Sequence, residues 1–182
     1  AAIFLKAAEL LTTTWRSTLN AATMLGQSKT AFQAEIDAAC ETIDFWRFNP
    51  HYAQTLYDEQ PLSDHSMWNQ IDYRPLEGFV YAVTPFNFTA IGANLPTAPA
   101  LMGNTVLWKP AEPTPLCAVA VQKIANQVMA DHGVDGVFTL AVGTGQTIGE
   151  RMLADHRLPL ISFTGSTAVG RRVGQAVAGR FG

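Results

Sequence analysis

Residues 84–112 read TPFNFTAIGANLPTAPALMGNTVLWKPAE, and three of their polar side chains stand where polar groups do chemistry. Asn87 follows an apolar run and Pro85, and sits between Phe86 and Phe88. An amide buried among aromatic rings must find partners, because an unpaired one costs about 1–3 kcal/mol. A neutral donor fixed in a dry pocket is also what a developing oxyanion needs. The alternative is an amide that only ties down its own loop. Lys109 and Glu112 stand three apart at the end of a second apolar run, where Pro110 stops a strand. A cation and a carboxylate at a strand's carboxyl end can grip the vicinal hydroxyls of a ribose, the lysine donating and the glutamate accepting. A surface ion pair worth about 0–1 kcal/mol is the competing reading.

Glycines supply the second kind of signal. FTGSTAVG places Gly165 at the end of an apolar run and Gly170 in the first turn of a helix, with Ser166 as its N-cap. Glycine permits close backbone approach, and a helix N-terminus offers free N–H groups to a diphosphate. The spacing is GxxxxG, not the GxGxxG dinucleotide fingerprint, so it is weak alone. VGTGQTIG makes a similar strand end at Gly143 and Gly145; an ordinary strand-to-helix turn would look the same. Arg171 and Arg172 read as a solvated face. Cys40 falls on the apolar stripe of a helix and Cys117 lies two residues after Pro115. Neither is flanked by glycines or placed beside a histidine, so both read as structural thiols.

These positions need a scaffold. Residues 1–24 carry Ile3, Leu5, Ala8 and Leu11 at helical spacing, interrupted at TTTW. Residues 28–49 predict a helix capped by Ser28, with Phe32, Ile36, Ala39, Ile43 and Trp46 on one stripe. Pro50 and Pro61 mark residues 50–70 as loop. From residue 71 the texture changes. IDYRPLEGFVYAVT reads as strand, break, strand. NTVLWKP, GVFTLAVGTG and LPLISFTG read as further strands, separated by helices over 113–133, 145–156 and 166–181. Strands alternating with helices of this length predict an α/β fold with a parallel, Rossmann-like sheet, whose ligands sit at the carboxyl ends of its strands. The expected division is an N-terminal helical part over 1–70 and a dinucleotide-binding part over 71–182.

The totals narrow the function. The chain has 182 residues, 48% hydrophobic and 15% charged, with a net charge of −3. That is a globular composition, with no basic block to bind nucleic acid or an anionic membrane. Two isolated cysteines and four scattered histidines provide no zinc spacing and suggest a reducing compartment. No run of eighteen apolar residues predicts a membrane span.

Taken together, TPFNFTAIGANLPTAPALMGNTVLWKPAEPTPL followed by ISFTGSTAVG resembles the aldehyde dehydrogenase superfamily. The order and spacing of the asparagine loop, the KPAE segment and the FTGS turn all match, over essentially the whole chain. The resemblance implies that Asn87 holds the oxyanion of a thiohemiacetal and that Lys109 and Glu112 bind the adenosine ribose of NAD. It places Gly165, Ser166 and the following helix beside the pyrophosphate. Thr84, Pro85, Phe86, Pro110, Ala111, Gly143, Gly145, Phe163 and Thr164 complete the implied NAD site. Glu112 would repel the 2′-phosphate of NADP, although Lys109 could offset it.

AAIFLKAAELL, MLGQSKTAFQAEIDAACETIDFWRFN and YRPLEGFVYAVTPFNFTAIGANL are similar to one branch of that superfamily. That branch oxidises L-glutamate γ-semialdehyde, formed from 1-pyrroline-5-carboxylate, in proline catabolism. It implies that Glu41 lies near the aldehyde tunnel and that Phe88 walls it. After about residue 110 the sequence is closer to the general superfamily or to the α-aminoadipate semialdehyde branch. The family's nucleophilic cysteine and general-base glutamate lie downstream of the FTGS helix, and neither Cys40 nor Cys117 matches the nucleophile's motif. The expectation is an N-terminal portion holding half an oxyanion hole and much of a cofactor site, without the nucleophile. A small aldehyde substrate and a homo-oligomer are implied, in the cytosol of a bacterium or the mitochondrial matrix of a eukaryote. A non-catalytic nucleotide-binding module and a CoA-acylating enzyme are the rival readings.

Overall fold

The computed structural model describes residues 1–180. Its centre is a four-stranded parallel sheet, ordered β3-β2-β1-β4. The strands are β1 (Val80–Val83), β2 (Val106–Lys109), β3 (Phe138–Leu140) and β4 (Leu160–Phe163). Val80 lies opposite Val106 on one side and Leu160 on the other. Side chains alternate between the two faces of such a sheet. Val80, Ala82, Val106, Trp108 and Phe138 enter the main core, whereas Tyr81 packs with Met152 and Leu158 in a smaller cluster.

Helices make the crossovers that parallel strands require. α5 (Thr89–Leu101) joins β1 to β2 and α6 (Pro115–Asp131) joins β2 to β3. A π-helical turn at Gly145–Gly149 and the short α7 (Glu150–Leu153) lead to β4, and α8 (Thr167–Ala178) follows it. The chain steps outward from β1 to β3, then returns to lay β4 on the far side of β1. That reversal is a topological switch point, where the loops leaving neighbouring strands diverge and open a crevice. At the opposite end of the two strands, Gly78 adopts φ +89° and a Cβ there would lie 2.0 Å from the Arg157 carbonyl oxygen. Only glycine fits where the entries to β1 and β4 touch.

The preceding helices are α1 (Ala2–Thr12), α2 (Arg16–Gln27), α3 (Ala31–Ala34), a π-helical segment Glu35–Cys40, and α4 (Glu41–Asp58). α1 buries Phe4, Ala7, Ala8 and Leu11, one stripe at helical spacing. The Trp46 indole of α4 donates to Thr97 of α5 at 3.2 Å, and Asn49 donates to Asn94 at 2.8 Å.

Several local expectations change. Ser28 does not cap a helix; it takes a left-handed φ of 54° that ends α2. Thr30 is the cap instead, in a reciprocal box with Gln33. The straight stripe fails at its start, with Phe32 75% and Ile36 50% exposed. The π-helical turn shifts the phase, so that Asp37, Ala38 and Ala39 face inward. Pro50 lies inside α4, which runs on to Asp58. α5, over 89–101, was not expected from the sequence and contains both Pro96 and Pro99. Residues 71–74, read as a strand, are irregular. α8 stops at Ala178, and Phe181, which the sequence places in that helix, lies outside the described residues.

Candidate active site

At the switch point a cleft of about 1190 Å³ opens at the carboxyl ends of the strands. That is roomier than the usual drug-sized pocket of roughly 300–1,000 Å³. The loop after β1 contributes Thr84, Pro85, Phe86, Asn87 and Phe88. β2 and its exit contribute Lys109, Ala111 and Glu112; the opposite wall is Gly145 and the turn Phe163, Thr164, Gly165 and Ser166. Residues from 84 to 166 in sequence are thus brought to one place by the sheet, although three strand-to-strand connections separate them.

Three residues singled out in the sequence fall elsewhere. Pro110 lines a small adjoining crevice with Gln27, Thr114 and Cys117, which shares Thr84, Pro85 and Phe88 with the cleft, and its carbonyl accepts from Lys109. Gly143 is absent from both linings, and a Cβ there would lie 2.5 Å from Ile148. Glu41 lies on the first turn of α4, exposed and outside the cleft lining. Partial burial and the nearby Asp37 raise its carboxyl pKa, with Lys29 opposing them.

Asn87 differs from expectation in its burial. It is exposed, as are Phe86 at 58% and Phe88 at 42%, because β1 ends at the open switch point rather than under a helix. Asn87 is among the residues that line the cleft. The start of the loop is held twice at Thr84: its N–H donates to the Lys109 carbonyl at 3.3 Å, and the Trp108 indole donates to its Oγ1 at 2.9 Å.

Lys109 and Glu112 do not form the surface ion pair of the competing reading. Lys109 is only 6% exposed, and its ammonium donates to the Pro110 carbonyl at 3.2 Å. Burial pushes its pKa below the ordinary lysine value, and Glu112 pulls it part of the way back. A buried cation that lines a cleft with a neutral carbonyl partner suits an oxygen-rich guest. The Glu112 carboxylate is exposed and accepts the Gly145 N–H at 2.9 Å, which fixes it on the cleft's rim. The residues present therefore fit a ribose between Lys109 and Glu112.

The FTGS turn has a second, internal reason for its glycines. A Cβ on Gly165 would lie 2.8 Å from the Phe163 ring, and one on Gly170 would lie 3.1 Å from it. Both glycines seat that ring against the start of α8. Ser166 caps α8 as expected, accepting from Val169 N–H at 3.3 Å. Arg172 is not simply a solvated residue: it pairs with Glu150 of α7, and both line the cleft. That pair, with Ile91, Gln146 and Val169, was not recognised from sequence. Its partners lie 22 residues apart on different helices, where no periodicity links them. Burial pushes the Tyr81 hydroxyl, also on the lining, up to about 12, so it stays protonated at working pH.

Neither thiol enters the cleft. Cys117 is buried, 3.6 Å from Thr23 Oγ1, and Cys40 lies 3.4 Å from the Arg16 guanidinium within the helical layer. Among the described residues no His, Cys, Asp and Glu group has metal-binding geometry, and no helix is long and apolar enough to cross a membrane.

A family model described as "Aldehyde dehydrogenase family" matches residues 1–182. The mitochondrial delta-1-pyrroline-5-carboxylate dehydrogenase of Dictyostelium discoideum is 51% identical over 170 residues, 92% of this chain and 30% of that protein. The crystal structure of the delta-pyrroline-5-carboxylate dehydrogenase from Mycobacterium tuberculosis is 52% identical with a TM-score of 0.93, covering 99% of this chain and 33% of that one. The same enzyme bound with NAD also superposes with a TM-score of 0.93. The chain spans about a third of the length of the relatives it matches.

Proposed function

The chain belongs to the aldehyde dehydrogenase family, and from that membership we propose that the whole protein oxidises L-glutamate γ-semialdehyde to L-glutamate with NAD. The observation that carries this reading is the single cleft that gathers Asn87, Lys109, Glu112 and the Phe163–Ser166 turn at the β1/β4 switch point. The substrate follows from relatives about half identical that are named for 1-pyrroline-5-carboxylate, an imine that water opens to the semialdehyde. The net change consumes one aldehyde, one NAD and one water, and yields a carboxylate, NADH and two protons.

This reading gives each cleft residue a role. The Asn87 amide donates to the aldehyde oxygen as that oxygen gains charge during addition of a thiolate. Lys109 and Glu112 hold the ribose, and the start of α8 with Ser166 faces the diphosphate. Bound there, the nicotinamide supplies the two-electron acceptor. The relatives are about three times as long, and the adding thiolate is assigned to sequence beyond this chain. Residues 1–70 act as the layer that supports the aldehyde side, and residues 71–182 as the dinucleotide-binding part. A homo-oligomer of the whole protein is part of this reading. The location is the mitochondrial matrix for a eukaryotic source, a reading supported by the word "mitochondrial" in the name of the Dictyostelium relative, or the cytosol for a bacterial one.

The test is NADH formation by the whole protein with 1-pyrroline-5-carboxylate against α-aminoadipate semialdehyde. One methylene is worth about 1–3 kcal/mol in a pocket, so a preference of roughly 10- to 200-fold for the shorter substrate is expected. An equal or reversed ratio overturns the substrate, and turnover that requires CoA overturns water as the acyl acceptor.

A further inference from the structure

The β1–α5 loop carries Asn87 toward the cleft, but its other side is gripped by the helical layer through one cation. Lys29 lies between α2 and α3, just after the left-handed Ser28. Its ammonium pairs with Asp37, donates to the Asn87 main-chain oxygen at 2.5 Å, and stands 4.3 Å from the centre of the Phe88 ring. The pair is withdrawn from water, with side-chain exposures of 16% for Lys29 and 6% for Asp37. The same Asp37 oxygen accepts the N–H of Thr89, the first residue of α5, at 3.4 Å. Thr89 Oγ1 is itself held by Thr23 at 2.8 Å and by Gln27 at 2.7 Å. The π-helical turn in the preceding helix is what turns Asp37 inward to meet both groups.

Stability alone does not account for this arrangement. A buried ion pair is often no better than well-packed apolar residues of the same volume, and one Asp37 oxygen is buried with no partner. Placement does account for it. An oxyanion donor works only when it is held within about 0.5 Å of its productive position, roughly 2.7–3.1 Å from the oxygen it stabilises. Asn87 is exposed on a loop tip, so its amide has no packing of its own to fix it. Contacts to its own carbonyl and to the next side chain remove that freedom without touching the amide.

We propose that Lys29, anchored by Asp37, is a positioning residue that locks the Asn87 loop so that the amide meets the developing oxyanion. This rests on the oxyanion role given to Asn87 above. Displacement of a catalytic group by about 1 Å can cost on the order of 10²-fold in rate.

The experiment is a double-mutant cycle in the whole enzyme with Lys29→Met, Asn87→Ala and the pair, alongside Lys29→Arg. Turnover, the aldehyde KM, the melting temperature and the NAD Kd from fluorescence titration are measured for each. Lys29→Met is expected to lower kcat by roughly 10- to 100-fold, with the NAD Kd unchanged. Lys29→Arg is expected to recover part of that loss. In the Asn87→Ala background, Lys29→Met is expected to have no further effect on kcat. A wild-type kcat in Lys29→Met, or the same loss in both backgrounds, overturns the positioning role while the oxyanion role stands. An unchanged kcat in Asn87→Ala removes the oxyanion role, and the Lys29 proposal with it. If Lys29→Met does not fold, Asp37→Asn keeps the shape and drops the anchoring charge. The same cycle then applies, and a kcat unaffected by Asp37→Asn overturns the proposal.

Discussion

Lys109 is where the cleft and its titration can be tested on one residue. Its ammonium is buried with a carbonyl for company, and burial lowers its pKa from the ordinary 10.5. Between the lowered value and 10.5 the unfolded chain holds the proton that the folded chain has released. Stability contributed by this group therefore rises with pH across that window. Ligand binding runs the other way. A ribose oxygen favours the charged lysine, so binding takes up a proton and NAD affinity falls as pH rises through the lowered pKa. A hydrogen bond to a charged group is worth about 1.5–3 kcal/mol. Lys109→Ala should thus weaken NAD by roughly 10- to 100-fold, leave the aldehyde KM unchanged and flatten the alkaline fall. Fluorescence titration against pH reads all three. An effect confined to the aldehyde KM would contradict the ribose assignment.

At the scale of elements, apolar runs ending in Pro or Gly placed all four strands of the sheet and the loops that carry Asn87, Lys109 and Ser166. Proline hid the rest. α5 contains two prolines and α4 one, and local rules read each as a break. Tertiary packing overrides them: α5 is wedged against the sheet and α4, and hydrogen bonds from Trp46 and Asn49 tie α4 across to it. The π-helical turn at Glu35–Cys40 was equally invisible, because it breaks the spacing by which a helix is recognised. The Glu150–Arg172 pair needed the fold itself. The turn between β4 and α8 was legible as a glycine signal, though not for its internal cause. There the Phe163 ring fills the space beside Gly165. Gly165→Ala inserts a methyl group at 2.8 Å from that ring, which must swing toward the cleft or lift the start of α8. Overpacking of this kind costs about 1–3 kcal/mol. A lower melting temperature together with a weaker NAD Kd is expected. A lower melting temperature with unaltered NAD binding would separate the turn from the dinucleotide site.

In the whole molecule two bodies of structure meet at the Asn87 loop. The strand ends face it from the cleft, and the helices of the first 58 residues face it through Lys29 and Asp37. The proposed function implies a division of labour, with dinucleotide contacts on the sheet side and aldehyde contacts on the helical side. Glu41 tests it, since it belongs to the helical side and stays outside the cleft lining. L-Glutamate γ-semialdehyde carries an α-ammonium, which an ionised Glu41 would attract. Partial burial and Asp37 hold its carboxyl above the usual range, so the charge is lost at a higher pH than for a free glutamate. The aldehyde KM should therefore rise as pH falls through that raised value. Glu41→Gln should raise the KM roughly 10-fold at neutral pH, the loss of one charged hydrogen bond, and remove its acid dependence. The NAD Kd should stay the same, because no sheet-side contact changes. Steady-state kinetics on the whole enzyme across pH 5–8, with a parallel NAD titration, measures both. A weakened NAD Kd with an unaltered aldehyde KM would reverse the division, placing the first helices on the dinucleotide side.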